Sequence, residues 1–402
     1  MGAGTVGGWA SYFARTSGAE RVIVVDRGRV GDGASSRAAG MVRAQGGTPT
    51  TVALGRWTID FYRRQAGLLG TDSGFRELGY VILAATEDEE RAGRERVAMQ
   101  RQAGLDVRWV DAGEAVRLDP ALRPSSIRGA SYAPTDGCID PVRNVRAYSL
   151  AMQATGVELR EHCAFTGIET ADTESGQRVT AVLTDQGRIA TERVILTGGP
   201  QLREVGAVIG VPIPAGAVRH QVAVTEPHEA FQAERRAMAF DLSGGLYWRL
   251  EDGGLLFGMS NPDETPGPAR SIDWAYLDAM RRRLAHFLPV TDGLELRKVW
   301  AATIDYTPDH LPILGPAMKT DRSMIEGVTV ASAGGHGMMW GPAVARIAAD
   351  LALEGRTTVV NVSQLGLDRF DAQGRSRLAT DPIALPFPAD AVPQTSGGPA
   401  RR

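Results

Sequence analysis

The chain has 402 residues, enough for two or three domains with ample cores. Charged residues make up 23% and the net charge is −3, which excludes an electrostatic case for binding nucleic acid or an anionic membrane surface. Two cysteines, Cys138 and Cys163, cannot build a disulfide framework or a cysteine metal cluster, and the six histidines show no metal-ligand spacing. No metal is therefore expected, and the setting reads as reducing and cytoplasmic. There is no apolar run long enough to span a bilayer and no charged-then-apolar leader.

The first element is a glycine pattern, Gly2-Ala3-Gly4-Thr5-Val6-Gly7, running into a helix over residues 5–17 with Gly18 after it. A β-branched run, Arg21-Val22-Ile23-Val24-Val25, ends in Asp26. The combination suits a dinucleotide. Gly2 permits a tight turn, Gly4 lets backbone approach a pyrophosphate, and Gly7 lets the helix pack closely. The free N–H groups of the helix terminus face phosphate, and Asp26 stands where a ribose hydroxyl is held. A strand is expected before Gly2, but Met1 stands there; the chain reads as truncated or its start as misassigned, with the central strand of the sheet missing.

After Asp26 comes a loop of small and hydroxyl residues, Gly31-Asp32-Gly33-Ala34-Ser35-Ser36-Arg37-Ala38-Ala39-Gly40-Met41-Val42-Arg43, suited to an extended pyrophosphate and ribityl chain. Further landmarks follow in order: Gly79-Tyr80-Val81-Ile82-Leu83-Ala84, Leu118-Asp119-Pro120, and Asp136-Gly137-Cys138-Ile139-Asp140-Pro141. Later stand Val194-Ile195-Leu196-Thr197-Gly198-Gly199-Pro200, Thr307-Pro308-Asp309, Pro312-Ile313-Leu314-Gly315 and Gly334-Gly335-His336-Gly337. In these motifs and their order the chain resembles the D-amino acid oxidase-like flavoprotein superfamily, in particular its sarcosine and dimethylglycine oxidase/dehydrogenase branch. The resemblance spans nearly the whole chain.

It implies an α/β fold (α+β overall): a Rossmann-like FAD-binding domain of the glutathione-reductase type, and a mostly antiparallel β-sheet substrate domain over the flavin face. The FAD-binding domain is expected from residues 1–75, 141–211 and 305–385, the substrate domain from 76–140 and 212–304, and a disordered tail from 386–402. Residues 193–198 read as an apolar strand ending in small residues, and 327–333 as a second one. The second runs through Gly334-Gly335-His336-Gly337 into a helix from about 340 to 354, with Pro342 in its first turn. Such a helix end puts partial positive charge beside the flavin N1/C2 carbonyl; the alternative is a plain packing turn.

The activity implied is oxidation of the C–N bond of a small amine or amino acid to an imine, by hydride transfer to flavin N5. Gly2, Gly4, Gly7, Asp26 and Arg27 are expected at the ADP half, Ser35, Ser36 and Arg37 at the pyrophosphate and ribityl chain, with Ala39, Gly40, Met41, Gly198 and Gly199 near them. Gly335, His336, Gly337 and Met338 should border the ring. His336 either contacts the flavin or is a hydrogen-bonded loop histidine. A substrate carboxylate wants an arginine clamp; Arg43, Arg219 and Arg249 are candidates, with Arg43 and Arg249 favoured, and Tyr247 and Trp248 lining the pocket or the core.

Arg37 and Ala302 stand where relatives attach FAD through histidine or cysteine, so FAD is expected to be non-covalent. Met338-Met339-Trp340 and Leu255-Leu256-Phe257 stand where sarcosine oxidases carry lysines, so an electron-transfer acceptor competes with oxygen, and a partner subunit stays open. The rival readings are a non-catalytic or truncated flavin-binding subunit and a flavin monooxygenase.

Overall fold

The structure is a computed structural model that describes residues 1–174, 176–232 and 236–386. The expected tail therefore lies, from residue 387 on, outside the described residues. The fingerprint folds as its composition requires. Gly2 takes φ +93°, and a Cβ on Gly7 would overlap the Gly2 carbonyl oxygen. The helix Thr5–Thr16 thus lies against the turn that precedes it, and Trp9 on its inner face is fully buried. The strand Ile23–Val25 pairs in parallel with Glu158–Arg160, and Val194–Leu196 pairs in parallel with Met324–Ser332. These two pairs are separate sheets. The first residues bridge them: the Met1 amine donates to the Ile195 carbonyl (2.7 Å), Thr197 N–H to the Met1 carbonyl (3.0 Å), and Gly2 N–H to the Val25 carbonyl (2.8 Å).

The last helix begins three residues before its expected start, at Gly337, and runs to Glu354. Pro342 consequently sits inside it rather than in its first turn. Lacking an N–H, Pro342 cannot serve the Met338 carbonyl one turn back. The buried Tyr62 hydroxyl takes over and donates to that carbonyl at 3.0 Å.

The second layer is an eight-stranded sheet. One half comes from Arg108–Asp111, Gly129–Ala133 and Tyr80–Ala84, the other from Met238–Asp241, Leu246–Glu251, Gly254–Met259, Gly216–Thr225 and Leu296–Tyr306. Every pairing is antiparallel except the seam where Tyr80–Ala84 meets Met238–Asp241 in parallel. Behind the sheet, Leu118-Asp119-Pro120 has a structural duty. The buried Asp119 ion-pairs with buried Arg236 and accepts from Trp248 Nε1 at 2.9 Å. Trp248 thereby belongs to the core, and the strand's alternation turns Tyr247 to the opposite face.

Candidate active site

A continuous cavity extends from the fingerprint to the antiparallel sheet. At one end it is lined by Gly2, Gly4, Asp26, Arg27 and, across from them, Gly198 and Gly199. Asp26 shapes this end with both oxygens: Oδ2 accepts from Ala3 N–H at 2.6 Å and Oδ1 from Gly28 N–H at 2.8 Å. Gly7 does not line the cavity; it is the contact that lets the helix sit this close.

Along the middle stand Ser35, Arg37, Ala39, Gly40 and Met41. Ser35 Oγ accepts the Thr5 N–H at 2.9 Å, capping the helix that opens the fingerprint. Arg37 donates to the Asp32 and Gly33 carbonyls, and Ser36 is outside the lining. Small residues, backbone amides and one carboxylate are the donor set that an FAD adenosine and pyrophosphate need, and the cavity has them in that order. The residues present fit the group.

At the far end Gly334 (φ +57°) and Gly335 (φ +84°) turn the strand Met324–Ser332 into the helix Gly337–Glu354. Gly335, His336, Gly337 and Met338 all line the cavity. His336 Nδ1 sits 3.0 Å from the Gly334 carbonyl and its ring lies against Trp340, with centroids 4.2 Å apart. Arg43 also lines this end and is buried; one guanidinium nitrogen donates to the Gln45 carbonyl and another to the Ile383 carbonyl at 2.7 Å. Facing it from the sheet, Tyr247 Oη meets His220 Nε2 at 2.6 Å, and His220 Nδ1 meets Ser260 Oγ at 3.2 Å.

Arg249 is not brought to the cavity. Buried on the strand two residues after Tyr247, it donates from Nε to the Ala39 carbonyl at 2.9 Å and pairs with Glu251, so it ties down the loop. Arg219 points away and binds Glu264 through two nitrogens at 2.9 and 2.8 Å. The residue beside it, His220, is the one that reaches the site. Strict alternation along Gly216–Thr225 sends neighbours to opposite faces, a signal that could have selected His220. Asp305, also unmarked in the sequence, lines the cavity and accepts from Ser332 Oγ at 2.7 Å; burial raises its carboxyl.

Burial pushes His220 down to about 4, and burial followed by Arg43 pushes His336 down to about 3. The unfolded chain protonates both near 6.5 while the folded protein resists it, so their stabilising contribution is complete above 6.5 and lost as pH falls. Each costs about 1.4 kcal/mol per pH unit in that window. Asp136 and Asp305 have the opposite sign: burial raises Asp136 to about 6 from 3.8 and raises Asp305 as well, so both gain stability as pH falls. The contribution of one histidine is isolated by removing it. Between pH 6 and 4, His220→Asn should lose about 1.4 kcal/mol per unit less than the unaltered protein, read from the denaturant midpoints of the two; identical slopes contradict this.

No helix among the described residues is long and apolar enough to cross a membrane. Over 389 residues the chain is 26% identical to 4-methylaminobutanoate oxidase (formaldehyde-forming) of Paenarthrobacter nicotinovorans, covering 94% of this chain and 46% of that protein. The chain thus spans about half the length of that relative. It is 28% identical over 382 residues to glycine oxidase of Geobacillus kaustophilus, covering 92% of this chain and 96% of the other. The fold is shared with L-proline dehydrogenase from P. horikoshii, at a TM-score of 0.83 and 23% identity over 94% of this chain and 97% of that one. The sequence profile of FAD dependent oxidoreductases matches residues 1–351. The protein belongs to this DAO family of FAD-dependent oxidoreductases, and FAD is its cofactor.

Proposed function

We propose that the protein oxidises the C–N bond of a small amino acid or N-methyl amino acid, such as sarcosine or dimethylglycine, to an imine that water then hydrolyses. The observation that carries this reading is the buried Arg43 guanidinium sharing one cavity with the Tyr247–His220 pair and the His336 loop. FAD, when bound, supplies the two-electron acceptor. It is held without a covalent bond by the residues that line the cavity from Gly2 to Met41, with Arg37 and Ala302 where tethering side chains would stand.

Arg43 takes the substrate carboxylate as a charge-assisted pair. Its two anchors, the Gln45 and Ile383 carbonyls, fix its orientation. An amine can give up hydride only after losing its ammonium proton. His220, neutral above about pH 4, accepts the Tyr247 hydroxyl hydrogen bond at Nε2, which leaves the lone pairs of Tyr247 Oη to receive an N–H of the substrate's neutral amine. This needs the His220 tautomer with its hydrogen on Nδ1, donated to Ser260 Oγ. Met41, Phe240 and Ile304 line the same cavity and exclude water from the reacting carbon. His336 lines the cavity from the helix terminus, where it would border the ring, and Arg249 holds the loop at Ala39.

Residues 1–75, 141–211 and 305–385 are assigned to the FAD domain and 76–140 and 212–304 to the substrate domain, which the separate sheets support. Two free, buried cysteines accord with a cytoplasmic setting. The test is anaerobic bleaching of the purified yellow protein by a panel of amines and amino acids. Bleaching by N-methyl or D-amino acids is expected, and readmitted air or an artificial carrier identifies the acceptor. Tyr247→Phe should slow bleaching about 10²-fold with the spectrum unchanged. A protein free of flavin, or a flavin that no amine bleaches, overturns the reading.

A further inference from the structure

Residues 378–386 follow the turn closed by the Phe370–Ser376 bridge as a strap with neither helix nor strand, and they return to the cavity. The strap is seated by specific contacts. Asp381 N–H donates to the Asp309 carbonyl at 3.1 Å, and the buried Asp381 carboxylate accepts from Gly47 N–H at 3.3 Å, Thr51 Oγ1 at 3.4 Å and Ile383 N–H at 3.0 Å. Two glycines keep its path open. A Cβ on Gly47 would overlap Asp381, and one on Gly245 would overlap the Pro386 ring.

Between those two seats Ile383 and Leu385 line the cavity. Ile383 is fully buried and clusters with Met41, Tyr80, Phe240 and Tyr247. Its carbonyl is also the group that Arg43 Nη2 bonds at 2.7 Å. The same residue therefore aims the cation and supplies apolar wall beside it. A substituent beside a carboxylate held by Arg43 would share this cavity with the Ile383 side chain.

We propose that Ile383, carried by this strap, is a specificity-determining residue: its side chain limits the substrate to carboxylates bearing a short substituent, and its carbonyl positions Arg43. The proposal rests on the amine-oxidation reading for its substrates, but its first test does not. Butyrate, the carbon isostere of sarcosine, and pentanoate bind without reacting and are read by the shift in flavin absorbance. The unaltered protein should favour butyrate, and Ile383→Ala should improve pentanoate relative to butyrate about tenfold, since one methylene in an apolar pocket is worth about 10-fold or more.

Ile383→Ala keeps the backbone carbonyl that Arg43 bonds, so the ratio of two acids within one variant isolates the side chain. Ile383→Val should give an intermediate shift, which guards against a general loosening. In turnover the preference for N-ethylglycine over sarcosine should rise by a similar factor. Unchanged selectivity in both variants, with flavin content retained, overturns the proposal. Shifted acid binding without bleaching by any amine would instead sink the amine-oxidation reading and leave the wall assigned.

Discussion

Arg43→Gln should lower kcat/KM for carboxylate-bearing substrates by between about 30-fold and a few thousand-fold, the range for truncating one partner of a buried charge pair at about 2–5 kcal/mol. The side chain is buried, lies over the Phe240 ring at 5.9 Å and has two of its nitrogens spent on the Gln45 and Ile383 carbonyls. Glutamine keeps one donor and loses both the charge and the fork. The effect should fall mainly on KM, because the carboxylate stays bound to the same group before and during the chemical step. Amines without a carboxylate should lose far less, so the ratio of the two substrate classes is the measurement. Arg43→Lys should not rescue it, since an ammonium on a flexible stem cannot satisfy two carbonyls and a carboxylate in one plane. Equal losses for both substrate classes would remove Arg43 from substrate recognition.

Asp309→Ala should cost about 3–5 kcal/mol of folding stability, as expected when a buried ion pair loses one partner. In the Thr307-Pro308-Asp309 motif the aspartate faces inward, where Arg369 binds it through two nitrogens at 2.7 and 3.1 Å. The two side chains are 1% and 3% exposed, so water cannot take over the guanidinium. Ser376 Oγ (2.6 Å) and Leu311 N–H (3.1 Å) use the remaining acceptor sites. The double variant Asp309→Leu with Arg369→Met leaves no buried charge and should recover most of the loss. Denaturant midpoints of the single and double variants decide this; a near-neutral single variant would show that the pair is solvated in solution.

Asp309 also shows what a sequence carries and what it does not. The fingerprint, the strand–glycine–helix unit around His336 and the alternating runs of the large sheet were legible, because each is a local pattern with a local cause: a close backbone approach, a helix start, a pleat. The function of Asp309 depends on Arg369, 60 positions away, and no local rule links them. The same holds for Tyr247 and His220, which meet across 27 positions, and for the Asp119–Arg236 pair behind the sheet. Arg249 was placed near the ring by the family resemblance of its segment, but its guanidinium is spent on the Ala39 carbonyl and Glu251. Pro342 was read as lying in a first turn because the glycine-rich stretch Gly334-Gly335-His336-Gly337 hid the true start of the helix at Gly337.

The parallel seam in the large sheet has a consequence for the order in which the protein can be built. Tyr80–Ala84 is buried at all five positions, yet its parallel neighbour Met238–Asp241 leaves the ribosome more than a hundred residues later. Until then one edge of an apolar strand has free N–H and C=O groups and nothing to cover them. Nascent chains of this protein should accordingly be most prone to aggregate at intermediate lengths, after the antiparallel partner Gly129–Ala133 is made and before residue 241 emerges. Synthesis speed over that interval, more than the stability of the finished fold, would then set the yield of native protein.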